Sequence, residues 1–284
     1  MTGRLATRWD DGMTNLAAKK VKTAAPTDLA DRTLFVNSLH KGFAILKAFS
    51  REQPRLTLSQ LTRLSGLDKS AAQRFVFTLH AMGYLTRDEE TKQYRLSPRV
   101  LEFGYTYLYS DRIIETAQPF LVEAHKQTGE TVNLAVLDGA DIILVSRLPS
   151  QHVVSLNIQI GLRIPALYSA SGLAIVTCLD ATGREEVIRR TEFKAHTPRS
   201  LTKPAEMRAL LEKVHADGHA IVHAQYFPND ISVAAPITDN AGRPLGAISI
   251  SAPDTRVRPG HALKRFVPCA KEAARKASIA MGAF

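Results

Sequence analysis

The sequence predicts an α+β protein with two domains. A small helical domain ends in a β-hairpin, and a linker helix joins it to a larger C-terminal domain with a mixed, mostly antiparallel sheet flanked by helices. Residues 35–82 contain amphipathic helical segments, whereas apolar runs typical of strands dominate from Thr131 onward. With 284 residues, 45% of them hydrophobic, the chain is long enough for two domains with separate cores.

The first two helices are predicted from periodicity and capping signals. VNSLHKGFAILKAFS predicts a helix that has Asn37 as its N-cap and one buried face. That face comprises Val36, Leu39, Phe43, Leu46 and Phe49. In TLSQLTRLSG, Thr57 precedes Gln60 by three residues, which is a capping-box pattern, and Gly66 ends the second helix.

A third helix is predicted from Lys69 to Met82, with Asp68 as its N-cap. Its apolar stripe comprises Ala72, Phe75, Val76, Leu79 and Met82. Its opposite face carries no carboxylate and comprises Lys69, Ser70, Gln73, Arg74 and Thr78. Such a face offers hydrogen-bond donors to phosphates and base edges, although a solvated helix face is the competing interpretation.

The stretch YLTRDEETKQYRL predicts a short hairpin, because apolar and polar residues alternate on both sides of a charged turn. Two helices joined by a tight turn with Gly, followed by a hairpin, form a winged helix-turn-helix. Cations at Arg87, Lys92 and Arg95 can reach flanking phosphates. Glu89 and Glu90 at the tip oppose deep insertion into a groove, so we expect this wing to position rather than to specify.

The formal net charge of +10 is concentrated in the first part of the chain. Residues 1–110 carry 17 Lys and Arg against 10 Asp and Glu, whereas residues 111–284 carry 20 against 17. A cation excess around a helix-turn-helix favours an anionic partner, and double-stranded DNA is the anion that this motif contacts.

The rest of the chain divides into a linker and a sheet domain. Two helices with a break near Ser110 and Asp111 are predicted in SPRVLEFGYTYLYSDRIIETAQPFLVEAHKQTGE. The first of them carries Phe103, Tyr105 and Tyr107, which can pack against a second subunit. Asp138-Gly139 predicts a hairpin in TVNLAVLDGADIILVSRL. Further strands are predicted in VVSLNIQIG, HAIVHAQYF and ISVAAPITDNAGRPLGAISISAP. Helices are predicted in SGLAIVTCL, PAEMRALLEKVHADG and HALKRFVPCAKEAARKASIAMG, the last interrupted at Pro268.

The predicted domains are a disordered tail at 1–34, a winged helix-turn-helix domain at 35–97, a linker helix at 98–111 and a C-terminal domain at 112–284. Cys178 and Cys269 lack the spacing of a zinc site, and we expect both to be small buried residues in a cytoplasmic protein. No run approaches the roughly 20 apolar residues of a membrane helix. We therefore expect no membrane partner, metal or cofactor.

Two other function classes were weighed against a DNA-binding sensor. An enzyme is disfavoured because the sequence lacks a Gly-x-Ser-x-Gly elbow, a His-Glu-x-x-His helix, a P-loop and a dinucleotide fingerprint, so no catalytic residue is predicted. A non-specific DNA-binding protein would not need a large sheet domain to contact phosphates.

The order of these motifs resembles the IclR (isocitrate lyase regulator) family of bacterial transcription factors over residues 35–280. The N-terminal part of the resemblance lies in SLHKGFAILKAF, LTLSQLTRLSGLDKSAAQRFVFTL and GYLTRDEETKQYRLSPRVLEFG. The C-terminal part lies in HKQTGETVNLAVLDGADIILVSRL, IGLRIPALYSASGLA and ISVAAPITDNAGRPLGAISISAP. The resemblance implies a homodimer, or a dimer of dimers, that binds operator DNA through the winged helix and a small organic acid effector through the C-terminal domain.

The expected DNA-binding residues are Thr57, Ser59, Lys69, Ser70, Gln73, Arg74, Thr78, Arg87 and Lys92. Ser70, Gln73 and Arg74 are expected to read base edges, and the cations to hold phosphates. The expected effector-binding residues, most of them implied by the resemblance, are Arg163, Tyr168, Ser169, Ala170, Ser171, His223, Ser232, Ser249 and Ser251.

Several of these effector residues have competing interpretations. Ser249 and Ser251 share one strand face, but serines on strands often face solvent. Arg163 can bind a carboxylate bidentately or form a structural ion pair. Small residues at 169–172 let a ligand approach the start of a helix, a ready carboxylate site. Tyr168 and His223 can line an aromatic pocket or simply pack.

Two segments look most like the branch of the family that governs catabolism of protocatechuate and 4-hydroxybenzoate: GLRIPALYSASG and FGYTYLYSDRIIETAQPFL. We therefore expect an aromatic or dicarboxylic acid as effector. The chain departs from the family pattern where Ala224 and Gln225 replace an acidic pair and where Leu173 interrupts the usual GKA. These departures indicate that the pocket chemistry differs from that of better-known members.

Overall fold

The structure, a computed structural model, describes residues 34–152 and 158–282. The chain divides into two compact units, one that ends at Tyr107 and one that begins at Leu108. Apart from Leu34, the predicted N-terminal tail lies outside the described residues, as does the 153–157 part of the predicted strand VVSLNIQIG. The described remainder of that stretch, 158–161, is coil and turn rather than strand.

The first unit is a winged helix-turn-helix, as predicted. Its elements are α1 (Asn37–Lys47), α2 (Leu58–Ser65), α3 (Lys69–Ala81) and an antiparallel hairpin of β1 (Leu85–Arg87) and β2 (Tyr94–Leu96). Leu56 adds a bridge to Tyr94 on the hairpin, with Leu56 N–H donating to Tyr94 O at 2.9 Å. The wing is therefore tied to the segment that precedes α2.

Capping residues fix the ends of α2 and α3 as predicted. Thr57 and Gln60 form both halves of the capping box, Gly66 ends α2 with φ of 72°, and Asp68 accepts from Ala71 N–H at 2.8 Å. The turn between the helices needs the left-handed conformation that Gly adopts without strain.

The predicted buried face of α1 is only partly correct, because Leu46 and Phe49 pack partly buried against the core of this unit but the rest of the stripe does not. Val36 occupies the N-cap position without a side-chain bond, so the predicted cap, Asn37, is the first helical residue. Ala44 and Ile45 are buried, whereas Val36, Leu39 and Phe43 are exposed. Apolar periodicity alone did not identify the core side because α1 has apolar residues around most of its circumference.

The core of the first unit takes one or two side chains from each packed segment. These fully buried residues are Ile45, Leu56, Leu61, Ala72, Val76 and Leu85. Met82, predicted as the last residue of the α3 stripe, is the C-cap and is exposed. Burial of Ala72 and Val76 on one side of α3 leaves its polar side toward solvent.

Two helices follow the wing, α4 (Leu101–Ser110) and α5 (Arg112–Thr128). The predicted break between them is confirmed at Asp111, which caps α5 by accepting from Ile113 N–H at 3.1 Å. Phe103, Tyr105 and Tyr107 are exposed on α4.

The second unit contains a six-stranded sheet in the order β5-β4-β3-β8-β7-β6, and every neighbouring pair in it is antiparallel. Its strands are β3 (Thr131–Asp138), β4 (Asp141–Leu148), β5 (Arg163–Pro165), β6 (Ala220–His223), β7 (Asp230–Thr238) and β8 (Pro244–Pro253). The Asp138-Gly139 hairpin is confirmed. HAIVHAQYF is a strand only over β6, and β5 was not predicted.

Helices cover both faces of this sheet. The remaining helices are α6 (Ala170–Val176), α7 (Ala181–Arg190), α8 (Pro204–Asp217) and α9 (Pro259–Ala280), of which α7 was not predicted. One face buries Ile248 and Ile250 against α5 and α9, and the alternate residue Ala247 packs with α6 and α8 on the other. Ser249, which lies between these isoleucines on β8, thus faces α6.

Two smaller predictions in this unit are wrong. α9 runs without a break through Pro268, although this proline cannot donate a helical hydrogen bond. Cys178 and Cys269 are free and half-buried rather than buried. No helix in the described ranges has the length and apolar character needed to cross a membrane.

Candidate functional site

The polar face of α3 is exposed as a continuous surface, and all of its predicted members lie on it: Lys69, Ser70, Gln73, Arg74 and Thr78. No Asp or Glu occurs between Lys69 and Ala81, so phosphates would meet no like charge on this helix. Thr78 Oγ1 donates to Arg74 O at 2.9 Å. Because that bond uses the hydroxyl proton, Thr78 can donate to a phosphate only by giving it up.

The two predicted DNA contacts on α2 differ in availability. Thr57 Oγ1 accepts from Gln60 N–H at 3.3 Å and lies 3.0 Å from Gln60 Oε1, so the capping box already uses this hydroxyl. Ser59 is exposed in the first turn of α2. We therefore regard Thr57 chiefly as the residue that fixes where α2 begins.

Three further residues complete this surface and were missed from the sequence. Phe77 is 71% exposed and follows Gln73 and Arg74 by four and three positions, which places it on the same helix face. Ser38 and Lys41 of α1 border a cleft with Arg74 and Thr78. They were missed because α1 was assigned only a buried role, and Phe77 because an aromatic residue on a helix usually indicates core.

The wing carries its cations next to an internal carboxylate. Glu89 lies 3.3 Å from Lys92 Nζ and 4.0 Å from the Arg87 guanidinium. Arg87 also lies over the Tyr94 ring, 5.8 Å from its centroid. Contact with phosphate therefore requires Lys92 and Arg87 to exchange Glu89 for the new anion, which agrees with a positioning role for the wing.

The second unit contains a cavity between the sheet and the start of α6, with about 540 Å³ of empty space including its open mouth. Seven of the predicted effector residues line it: Tyr168, Ser169, Ala170, Ser171, Ser232, Ser249 and Ser251. These residues come from β7, β8 and the entry to α6. Small-molecule sites are commonly concave, with a few polar groups set in an apolar lining.

A row of polar side chains crosses three strands on the floor of this cavity. Arg147 Nη1 donates to Asn133 Oδ1 at 2.8 Å, and Asn133 Nδ2 donates to Ser249 Oγ at 3.3 Å. The strand register produces this row, because Asn133 pairs with Arg147 on β4 and with Ser249 on β8. We call Arg147, Asn133 and Ser249 the polar row.

Asp230 places a carboxyl group near the same cation. Burial raises the pKa of the Asp230 carboxyl to about 7, which the Arg147 guanidinium opposes and Asp254 reinforces. Burial likewise lowers the pKa of the Arg147 guanidinium, an effect that Asp230 partly offsets. For both groups the cost of leaving water outweighs their mutual attraction, so neither neutralises the other efficiently.

Aromatic side chains form a further part of the cavity lining, which we call the aromatic wall. The His196 ring lies 4.8 Å from the Tyr168 ring and 4.7 Å from the Tyr226 ring, and Tyr226 contacts Phe227 edge-on at 4.9 Å between centroids. Tyr168, Tyr226 and Phe227 line the cavity, and burial raises the pKa of both tyrosine hydroxyls. A flat apolar ring can pack against such a wall.

The entry to α6 is held mainly by its own chain. Ser169 caps the helix by accepting from Gly172 N–H at 3.0 Å, and it donates to Ala166 O at 3.2 Å. A Cβ at Gly172 would lie 2.1 Å from Ala166 O. Glycine is thus required at 172 for close packing of the backbone, whereas Ser169, Ala170 and Ser171 line the cavity.

The other two predicted effector residues do not line the cavity. Arg163 donates to Asp138 at 2.5 Å and to Asp141 at 3.2 Å, and although burial opposes it, these bonds raise the pKa of its guanidinium. This is the structural ion pair that the sequence left open. His223 Nε2 lies 2.7 Å from Asp254 Oδ2, and its Nδ1 lies 3.3 Å from Arg199.

Six residues that line the cavity were not predicted from the sequence: Asn133, Arg147, Asp230, Gln225, Tyr226 and Phe227. Only the strand register brings the first two beside Ser249, and this register is not visible in the sequence. Across the described ranges, no group of three or more His, Cys, Asp or Glu is arranged to hold a metal ion.

Comparison with known families matches both units. Residues 38–89 match the IclR helix-turn-helix domain, and residues 105–279 match the C-terminal domain of bacterial IclR transcriptional regulators. The chain belongs to the IclR family. It is therefore a DNA-binding transcriptional regulator with an effector-binding C-terminal domain, and not an enzyme.

Relatives of this IclR-family regulator include proteins that control aromatic catabolism. The Pca regulon regulatory protein of Pseudomonas putida is 32% identical over 85% of this chain and 82% of its own length. The p-hydroxybenzoate hydroxylase transcriptional activator of Acinetobacter baylyi is 28% identical over 85% of this chain and 90% of its own length. An IclR homologue from Microbacterium hydrocarbonoxydans, solved with 4-hydroxybenzoate, has the same fold, with a TM-score of 0.71, 24% identity and coverage of 86% and 98% of the two chains.

Proposed function

We propose that this IclR-family regulator binds a small aromatic carboxylic acid in the cavity of its second unit, and that binding changes its affinity for operator DNA. The polar row beside the aromatic wall is the observation that carries the proposal. The Arg147 guanidinium can bind a carboxylate bidentately, Ser249 can add a hydroxyl, and the rings of Tyr226 and Phe227 can hold an aromatic ring.

Charge favours an aromatic monoacid over a dicarboxylic acid. Arg147 is the sole Lys or Arg among the described residues that line the cavity, and the only other charged lining residue is Asp230. A second carboxylate would meet Asp230 or apolar surface instead of a cation. The names of the two relatives, and the 4-hydroxybenzoate bound to the homologue, support the same choice.

For DNA, the proposal assigns α3 to the major groove. Ser70, Gln73 and Arg74 read base edges, and Lys69 together with the wing cations holds phosphates. A homodimer in the cytoplasm would present two such helices to two half-sites. The exposed aromatic residues of α4 support a subunit interface in that region.

Calorimetric titration combined with gel shifts tests the proposal. Benzoate, 4-hydroxybenzoate and protocatechuate form the aromatic arm, succinate the dicarboxylic arm, and pyruvate and glyoxylate the short-acid arm. We expect the aromatic acids to release or absorb heat on binding and to be recovered chemically unchanged. In gel shifts, adding the same acid should change the affinity of the protein for the promoter fragment. Heat from the short acids alone would contradict the aromatic assignment, and the absence of any salt-sensitive promoter binding would contradict the DNA assignment.

A further inference from the structure

One polar atom of the cavity wall has no hydrogen-bond partner among the described residues. Gln225 lines the cavity, and its side-chain Oε1 is buried without a donor. A buried acceptor is rarely left in this state in a folded protein, because it has lost its bonds to water. A ligand in the cavity that carries a proton donor can therefore supply the bond that this acceptor lacks.

The backbone at this position is fixed from several sides. Thr197 Oγ1 donates to Ala224 O, and Ser200 Oγ donates to Gln225 O at 2.6 Å. Ala224 N–H donates to Asp230 O at 2.7 Å, and Ala224 has a left-handed φ of 51°. These contacts hold the start of the segment that precedes β7, so the Gln225 amide projects from a constrained backbone.

The cavity thus has polar groups of two different kinds. The polar row supplies a cation for a carboxylate, and Gln225 supplies a neutral acceptor on the segment that also carries Tyr226 and Phe227. A carboxylate does not suit this acceptor because an ionised carboxylate has no proton to donate. A ring hydroxyl does suit it, because its O–H can donate to Oε1.

We propose that Gln225 selects for a ring hydroxyl, so that the effector class is a hydroxylated aromatic acid whose carboxylate lies at Arg147 and whose hydroxyl lies at Gln225. This inference rests on the proposed aromatic-acid function and adds a specificity-determining residue to it. A site built to bond a hydroxyl rejects the analogue without it, because the buried acceptor then stays without a donor.

Calorimetry on the full chain tests the inference. It compares the affinities for benzoate, the three monohydroxybenzoates and protocatechuate. In the wild type we expect at least one hydroxylated acid to bind about tenfold or more tightly than benzoate. Gln225→Met keeps the length of the side chain but removes the acceptor, so this ratio should fall to within about twofold while benzoate binding stays unchanged. Gln225→Glu keeps an acceptor, so it should retain the ratio while weakening all anions.

Gln151→Met, at an exposed glutamine that does not line the cavity, is the matched control and should retain the wild-type ratio. A wild type that binds benzoate as tightly as every hydroxylated acid overturns the inference even if Gln225→Met fails to fold. So does a hydroxyl preference that persists in a folded Gln225→Met variant. In both cases the aromatic-acid function stands, whereas binding of none of these acids overturns both.

Discussion

The α3 surface and the effector cavity are built in opposite ways. Most of the α3 surface comes from one segment of 13 residues, Lys69–Ala81, whose start is fixed by the Asp68 cap. The polar row of the cavity comes from three strands, with Asn133 and Ser249 separated by 116 positions along the chain. The first site therefore depends on helix periodicity, and the second on sheet register. We expect substitutions to reveal this difference.

The largest effect is expected for Arg147→Met in the cavity. This change removes the cation of the polar row but keeps most of the side-chain length, so affinity for the aromatic acid should fall about 100-fold, equivalent to roughly 2.7 kcal/mol. Calorimetry with 4-hydroxybenzoate measures the loss, and promoter binding without effector should remain.

Arg163→Met is the matched control, because Arg163 is a cation of the same domain whose bonds go to Asp138 and Asp141 outside the cavity. Its effector affinity should stay within about threefold of wild type, since exposed ion pairs contribute little. A large loss in Arg163→Met with little change in Arg147→Met would restore the role that the sequence suggested for Arg163 and would contradict ours.

The same contrast explains what could be predicted from the sequence. The winged helix, its caps at Thr57 and Asp68 and the polar α3 face follow from spacing within one segment. Arg147 could not be recognised because nothing near it in the chain marks it, and its partner Asn133 reaches it only through strand pairing. Arg163 was selected instead because it lies in a recognisable motif.

Local periodicity also fails where both sides of a helix are apolar. α1 buries Ala44 and Ile45 and only the Leu46 end of the predicted stripe, because the packed neighbours and not the pattern decide which side faces the core.

A smaller effect is expected for Arg74→Ala on α3. If Arg74 bonds a guanine edge, the variant should lose about 1–3 kcal/mol of affinity and relax specificity at one operator position. Lys69→Ala is the comparison, because a phosphate contact should weaken all sequences alike and reduce the salt slope by about one. Binding to a library of single-base operator variants distinguishes the two, and uniform weakening by Arg74→Ala would reassign Arg74 to phosphate.

The smallest effect concerns pH and returns to the cavity. Because burial raises the pKa of Asp230 to about 7, this carboxyl is mostly neutral at pH 6 and mostly ionised at pH 8. The charged groups around it are Arg147 and Asp254, the latter hydrogen-bonded to His223. Ionised Asp230 competes with the effector carboxylate for Arg147 and repels it, so effector affinity should fall as pH rises.

If the effector binds only when Asp230 is neutral, its affinity should decrease about tenfold between pH 6 and pH 8. Above pH 7, binding should then be accompanied by proton uptake. Titration of 4-hydroxybenzoate in buffers of different ionisation enthalpy measures both quantities. Asp230→Asn keeps the shape of the side chain but cannot ionise. Its affinity for 4-hydroxybenzoate should therefore stay constant over this pH range and lie close to the wild-type affinity at pH 6. A slope that persists in Asp230→Asn would assign the titration to a group other than Asp230. A flat wild-type profile would mean that Asp230 does not share Arg147 with the effector.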